Sequence, residues 1–306
     1  MSHPPAAGTR VPWHKVHPAV RAAVEEFLGG RVAEAITQPG GFSPAAAVRL
    51  RTDEGRRAFV KAVGPEPNPD TVLLYRSELK IAAALPESVP APRLLTGFEL
   101  EGWVVLVFED VEAGHPELPW RRDELDRVLH AIDRMSAALT PAPIDAPPIS
   151  DVFGPAFKGW RKLLKEDTDG LDPWALRHLG ELAELESGWA EAAAGDSLVH
   201  ADLRADNILL TDDRVYVVDW PWACVGAPWF DRMGMLPSVG MQGGPPPHEL
   251  LTDPDPAVTS VVAALAGYFV RQSRQPDPPG LPTVREFQRA QGVVALDWVR
   301  RRTGWS

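Results

Sequence analysis

Short apolar runs dominate the first third of this chain, and three- and four-residue apolar spacing dominates most of the rest. Val32 to Thr37, Ala46 to Arg51 and Ala58 to Val63 are rich in β-branched and apolar side chains. Thr52-Asp53-Glu54-Gly55 separates the last two, so the runs predict strands joined by a turn. Trp103 to Phe108 is apolar throughout, the pattern of a strand buried on both faces. Between these strands the spacing predicts a helix from about Asp70 to Leu85, with Leu74, Ile81, Ala82 and Leu85 on one face and Glu78 in the middle of that stripe. Glu109 to Gly114 breaks the strand pattern. Beyond it, Trp120 to Leu139, Pro173 to Ala193, Pro256 to Gln272 and Val284 to Arg302 all read as helices. One exception interrupts them: Ile208 to Leu210 and Val215 to Val218 flank the turn residues Thr211 to Arg214 and predict paired strands. The expected class is α+β, with a small antiparallel-sheet lobe over residues 1–108 and a mainly helical lobe over 115–306.

Composition supports two lobes and removes several classes of function. At 306 residues and 44% apolar, the chain is long for one core and has enough apolar side chains for two. Cys224 is the only cysteine, which excludes an internal disulfide and fits a reducing cytoplasm. No apolar run approaches the roughly 20 residues of a membrane span, so neither export nor insertion is expected. A net charge of −11 argues against nucleic acid or an anionic membrane as partner. His115, His130, His178 and His248 lack metal-ligand spacing and read as ordinary polar residues. Trp220, Trp222 and Trp229 read as core and loop packing rather than as a stacking platform.

The chemistry concentrates in residues 198 to 220, which join a His200-x-Asp202-x-x-x-x-Asn207 loop to the predicted hairpin and Asp219. Asn207 and Asp219 then flank the open end of one hairpin, where an amide oxygen and a carboxylate suit a hard cation such as Mg²⁺. Asp202 is left free to take a proton from an attacking hydroxyl, which is what phosphoryl transfer needs besides positioning and charge neutralisation.

This segment resembles the catalytic and metal-binding loops of the protein-kinase-like superfamily, in its aminoglycoside phosphotransferase and choline kinase branch. Asp219 is followed by Trp220 rather than Phe-Gly, and no Ala-Pro-Glu follows, so a protein kinase's activation segment is missing. The family's common His-Gly-Asp is His-Ala-Asp here, and its Pro-Gly before the asparagine is Ala205-Asp206. The resemblance implies a bilobal kinase-like fold. It also implies a phosphate-anchoring lysine, for which Lys61 fits, and a glutamate partner, for which Glu78 fits because a carboxylate on a buried stripe needs a counter-charge. Gly40-Gly41-Phe42-Ser43 is similar to the family's short nucleotide-binding loop, with Gly41, Phe42 and Ser43 closing over phosphates. Residues 109–114 correspond to the hinge, where backbone groups of Glu109 and Val111 hold adenine. Arg204 stands two positions after Asp202, where protein kinases often carry a lysine facing the transferred phosphate; a solvent-facing arginine is the other reading. Asp231 reads as a cap or brace of the helix beginning near Trp229.

The expected activity is transfer of phosphate from ATP, with GTP left open, to a hydroxyl of a small molecule, with Mg²⁺. Residues 109 to 199 hold 19 acidic against 9 basic side chains, a balance of −10, which favours a hydroxylated amino compound such as an aminoglycoside or amino sugar as acceptor. A neutral sugar or another antibiotic hydroxyl is the alternative acceptor. A nucleotide-binding pseudokinase would lack a catalytic group, yet Lys61, Glu78, Asp202, Asn207 and Asp219 are all present.

Overall fold

The structure is a computed structural model that describes residues 10–39, 45–65, 69–278 and 281–306. Strands β1 (Val32–Thr37), β2 (Ala46–Thr52), β3 (Arg57–Val63), β4 (Leu94–Leu100) and β5 (Trp103–Phe108) form one antiparallel sheet in the order β1-β2-β3-β5-β4. Because side chains alternate across a strand, each face of this sheet needs its own cover. Val48, Leu50, Val60, Val105 and Val107 face α1 (Pro18–Leu28), whose Val20, Val24 and Leu28 recur every fourth residue and are buried against them. Val63, Val104, Leu106 and Phe108 face α2 (Pro69–Ala82) through Val72 and Tyr75. Lys61 lies on this second face, beside the cleft. α2 ends at Ala82, three residues before the predicted end, and its buried stripe is Val72, Tyr75, Glu78 and Ile81.

α1 and β4 escape the periodicity. In β4, Gly97 interrupts the apolar pattern because a Cβ there would sit 2.1 Å from Leu79 Cδ1 on α2. Glu101 and Gly102, with φ of 52° and 75°, close the β4–β5 hairpin by the two left-handed residues a tight hairpin turn requires.

The second lobe comprises α3 (Arg122–Ala138), α4 (Ile149–Phe153), α5 (Gly159–Leu163), α6 (Pro173–Arg177), α7 (Leu179–Ser187), α8 (Trp189–Ala192), α9 (Phe230–Met241), α10 (Pro247–Leu250), α11 (Pro256–Gln272) and α12 (Val284–Thr303). The single helix predicted over 173–193 is three pieces, broken at His178 and Gly188. α11 and α12 pack side by side, and α5 crosses α11 closely at two glycines: a Cβ on Gly159 would lie 2.0 Å from the Gly267 carbonyl oxygen. Buried Glu186 fixes that crossing by accepting from the amides of Trp160 and Arg161 at 3.0 and 3.1 Å. Two small ladders, β6 (Ser197–Val199) with β9 (Cys224–Gly226) and β7 (Ile208–Leu210) with β8 (Val215–Val217), carry the loop that faces the sheet. The lobes are joined where Gly114 and Leu210 exchange backbone hydrogen bonds, where the Val217 amide meets the Pro90 carbonyl at 2.6 Å, and where Ser77 Oγ donates to the Pro221 carbonyl at 2.9 Å. Among the described residues no helix is long and apolar enough to cross a membrane.

Candidate active site

β6 delivers the chain to His200, which is fully buried and shapes the loop from beneath. Its Nε2 lies 3.0 Å from the Val218 carbonyl and its Nδ1 is 3.2 Å from the Asp202 amide. A carbonyl can only accept and an amide can only donate, so the ring is the neutral Nε2–H tautomer. Burial lowers its pKa in the same sense. From α9, Asp231 accepts from the amides of His200 at 2.8 Å and Ala201 at 2.7 Å. It therefore braces the catalytic loop, and its helix-capping role at Trp229 is not what the structure shows. Ala201 has φ of 66°, the left-handed conformation in which glycine costs least. That is the physical reason a glycine suits this position, and the two bonds to Asp231 hold alanine there.

Asp202 follows, with Arg204 bonded to its carboxylate and paired to Asp206 through two contacts of 3.0 Å. Only 12% of the Arg204 side chain is exposed, so the solvent-facing reading fails. Burial pushes the Asp202 carboxyl up to about 6 against the pull of Arg204. The 3₁₀ turn Ala205–Asn207 places Asn207 so that Nδ2 donates to the Asp202 carbonyl at 2.8 Å, which leaves Oδ1 as the outward atom.

Lys61 meets this shelf from the sheet. Its Nζ contacts Glu78 and lies 2.7 Å from Asp219 Oδ1, with the Tyr75 ring centroid at 5.1 Å. Glu78 is 1% exposed. Burial alone would lower the Lys61 pKa, but the Asp219 and Glu78 carboxylates hold it well above the usual lysine range. Burial likewise works to raise Asp219, and Lys61 keeps it below the usual carboxylate range, hence ionised. Asp219 has φ of 70°, and its second carboxylate oxygen makes no hydrogen bond among the described residues. An ionised carboxylate and an outward amide oxygen are donors that fit a hard divalent cation.

At the end of β5, the Glu109 amide is used by the Arg93 carbonyl at 2.9 Å. The Glu109 carbonyl and the Val111 amide have no partner among the described residues, as groups that hold a base would be. Asp110, which the sequence did not single out, ties this segment to the sheet by accepting from Arg49 at 2.6 Å and Arg57 at 2.8 Å. Gly41, Phe42 and Ser43 lie outside the described residues.

Beside Asp202 opens a cavity of about 1020 Å³ whose lining stops short of the hinge. Phe153, Phe157, Trp222, Phe230, Tyr268 and Phe287 line it, from segments that are far apart in the chain. Trp220 is core at 3% exposed, while Trp222 is 38% exposed at the cavity wall, where its ring packs 6.2 Å from Phe153. The acidic side chains of residues 109 to 199 lie apart from this cavity. None of these carboxylates is among the lining residues: Asp110, Asp133, Glu166 and Asp172 instead pair with Arg49, Arg232, Arg271 and Arg300.

The model of the family described as "Phosphotransferase enzyme family" matches residues 36–286. No curated protein matches the chain by sequence. Among solved structures, a thermostable mutant of aminoglycoside phosphotransferase APH(4)-Ia in complex with ADP and hygromycin B is 16% identical, with a TM-score of 0.60 over 94% of this chain and 100% of that one. A choline/ethanolamine kinase family protein from Mesorhizobium loti is also 16% identical, with a TM-score of 0.61 over 94% of this chain and 97% of that one. The amicoumacin kinase hAmiN, solved with AMP-PNP, calcium and its ligand, is 11% identical, with a TM-score of 0.57 over 92% of this chain and 94% of that one. At these identities the likeness establishes a kinase-like fold.

Proposed function

The chain belongs to the phosphotransferase enzyme family, and we propose that it moves the terminal phosphoryl group of ATP onto a hydroxyl of a small molecule, with Asp202 taking the hydroxyl proton. What carries this reading is the convergence on one cleft of Asp202, Asn207, Asp219 and the Lys61–Glu78 pair. The Glu109 carbonyl and the Val111 amide hold the base. Lys61, kept charged and fixed by Glu78, reaches the phosphates, as in kinase-like sites generally. Asn207 Oδ1 and the Asp219 carboxylate would hold Mg²⁺, which when bound neutralises charge on the phosphate oxygens.

The acceptor oxygen attacks the terminal phosphorus, the bond to the bridging oxygen breaks, and nucleoside diphosphate leaves. The proton lost by the hydroxyl goes to the Asp202 carboxylate. A carboxyl raised to about 6 suits this step, because a general base works best with a pKa near the operating pH. Arg204 keeps a positive charge beside that carboxylate and orients it. The acidic balance of residues 109 to 199 gives no support to a cationic acceptor, since those carboxylates lie outside the cavity.

Asp202→Asn tests the reading. ADP release, with an acceptor or with water alone, is expected to fall by about 10² or more, while nucleotide affinity by calorimetry stays within about twofold because the base and phosphate contacts are untouched. Full turnover in that variant would remove Asp202 from its role.

A further inference from the structure

Resting on the phosphotransfer reading, we infer that the Tyr268 hydroxyl binds the acceptor, donating its hydrogen bond to a second oxygen beside the one that attacks phosphorus. Tyr268 lines the cavity that opens beside Asp202. It stands on α11 directly after Gly267, where α5 crosses closely, and its ring is set 6.0 Å from Phe157 and 5.3 Å from Phe269. Packing therefore fixes the ring, and the hydroxyl is the part left to act.

The direction of its hydrogen bonds follows from Arg285. A guanidinium can only donate, and Arg285 donates to Gln288 at 2.8 Å, so the oxygen of the Gln288 amide faces Arg285. The NH2 of that amide is thereby turned to Tyr268, and Nε2 donates to the phenol oxygen at 3.3 Å. Gln288 is 8% exposed, which keeps water from competing for this orientation. A phenol hydroxyl carries one donor besides its acceptor lone pairs. In the bond with Gln288 the Tyr268 oxygen accepts, and among the described residues no group, Asp202 included, takes the O–H in return.

Once a substrate has displaced water from the cavity, a donor in its wall without a taker is costly, so the taker is an oxygen of that substrate. Burial, and after it the Asp202 carboxylate, hold the Tyr268 phenol above its ordinary range, and it stays a donor at working pH. The oxygen it meets is not the attacking one. A bond donated there would draw on the lone pairs that form the new bond to phosphorus, whereas a neighbouring hydroxyl, ether or carbonyl oxygen loses nothing by accepting. Arg285 and Gln288 are positioning residues, which act by leaving the phenol its donor to use.

The test follows the terminal phosphate of ATP as it divides between an added alcohol and water, with glycerol and 1-propanol as probes of equal carbon number. Glycerol carries a further oxygen beside each hydroxyl, and 1-propanol does not. In the wild type, transfer to glycerol per hydroxyl is expected to exceed transfer to 1-propanol by about tenfold, the scale of one well-placed hydrogen bond. Tyr268→Phe keeps the ring and removes the donor, and should bring that ratio to about one through a rise in the KM for glycerol. Gln288→Glu keeps the shape and the Arg285 pair but can only accept, so it turns the O–H away from the cavity and should do the same. The double variant should lose no more than either alone. A tyrosine that only packs predicts no change on Tyr268→Phe and no agreement between the two variants. A wild-type ratio near one, a ratio kept in either variant, or no transfer to either alcohol while Asp202-dependent ADP release into water continues, overturns the inference and leaves phosphotransfer standing. If ADP release is the same in Asp202→Asn as in the wild type, the phosphotransfer reading falls, and this inference with it.

Discussion

The shelf that carries Asp202, Asn207 and Asp219 is held by hydrogen bonds and ion pairs, whereas the hollow beside it is held by ring contacts. On the shelf nearly every buried donor and acceptor is used, and two residues, Ala201 and Asp219, are kept in the left-handed region. Strain of that kind persists only where the surroundings over-determine it, and it accompanies sites that must be rigid. The hollow has no comparable network. Its rings come from the segment around α4, from the residues after Asp219, from the start of α9 and from α11 and α12, and two of them meet the shelf: Phe230 precedes Asp231, and the Phe287 ring centroid lies 5.9 Å from the Arg204 guanidinium carbon. On the function proposed above, one wall would set the reaction and the other the acceptor, a division by which a single fold serves many substrates.

Four perturbations break or sharpen that division. The largest effect is expected at the metal side of the shelf. Asp219→Ala removes a ligand, a charge and the partner of Lys61, and should lower kcat by about 10³; Asn207→Ala removes one neutral ligand and should cost about 10², the scale for losing single electrostatic groups in an active site. Both should shift the Mg²⁺ titration while leaving acceptor KM nearly unchanged. Unchanged metal titrations in both variants would show that the hairpin does not build the cation site.

Next in size is Asp231→Ala, which strands the buried amides of His200 and Ala201. Each unsatisfied donor costs about 1 to 3 kcal/mol, and removal of a buried carboxylate offsets part of that, so a loss of about 2 kcal/mol in urea unfolding is expected. kcat should fall with it as the loop relaxes. A change as large at an aromatic position of the hollow would mean that the two walls are not independent.

The pH profile is a smaller effect and separates the walls by titration. With Asp202 at about 6, kcat/KM should be level above that pH and fall about tenfold per unit below it. The stability contribution has the opposite direction. Because the folded pKa lies above the ordinary 3.8, Asp202 contributes stability that is present below about pH 4 and is lost as pH rises through about 6. Asp202→Asn should flatten unfolding free energy across that window, and an unaltered profile would place the titration elsewhere.

The smallest effect is at Ala201. Relief of its φ of 66° by Ala201→Gly should be worth less than about 1 kcal/mol, since glycine's greater freedom in the unfolded chain offsets part of the gain. A differential scan that shows a clear loss of stability would mean that the alanine methyl packs in a way the loop needs.

How much of this was legible in the chain follows from distance along it. Residues 198 to 220 name the loop, the hairpin and Asp219 as one string, and the buried stripe of α2 points from Glu78 to a cation such as Lys61, because covalent proximity and helical period are local properties. The kinase-like fold and the phosphotransferase family were readable on the same ground. β1, β2, β3 and β5 were visible as runs, while β4 was hidden by Gly97, whose reason is the side chain of Leu79 from another element. Asp231 looked like a helix cap because its partners, His200 and Ala201, lie about thirty residues earlier and meet it only in the fold. The acidic stretch suggested a cationic acceptor because charge can be counted in one dimension. Where a carboxylate points and what it pairs with cannot be counted that way: Arg232, Arg271 and Arg300 reach across the lobe to Asp133, Glu166 and Asp172. The sequence by itself determined the fold class and the short, contiguous segments that carry the groups proposed to react; only the tertiary structure decided what stands opposite them, because burial and pairing depend on which distant surfaces pack together.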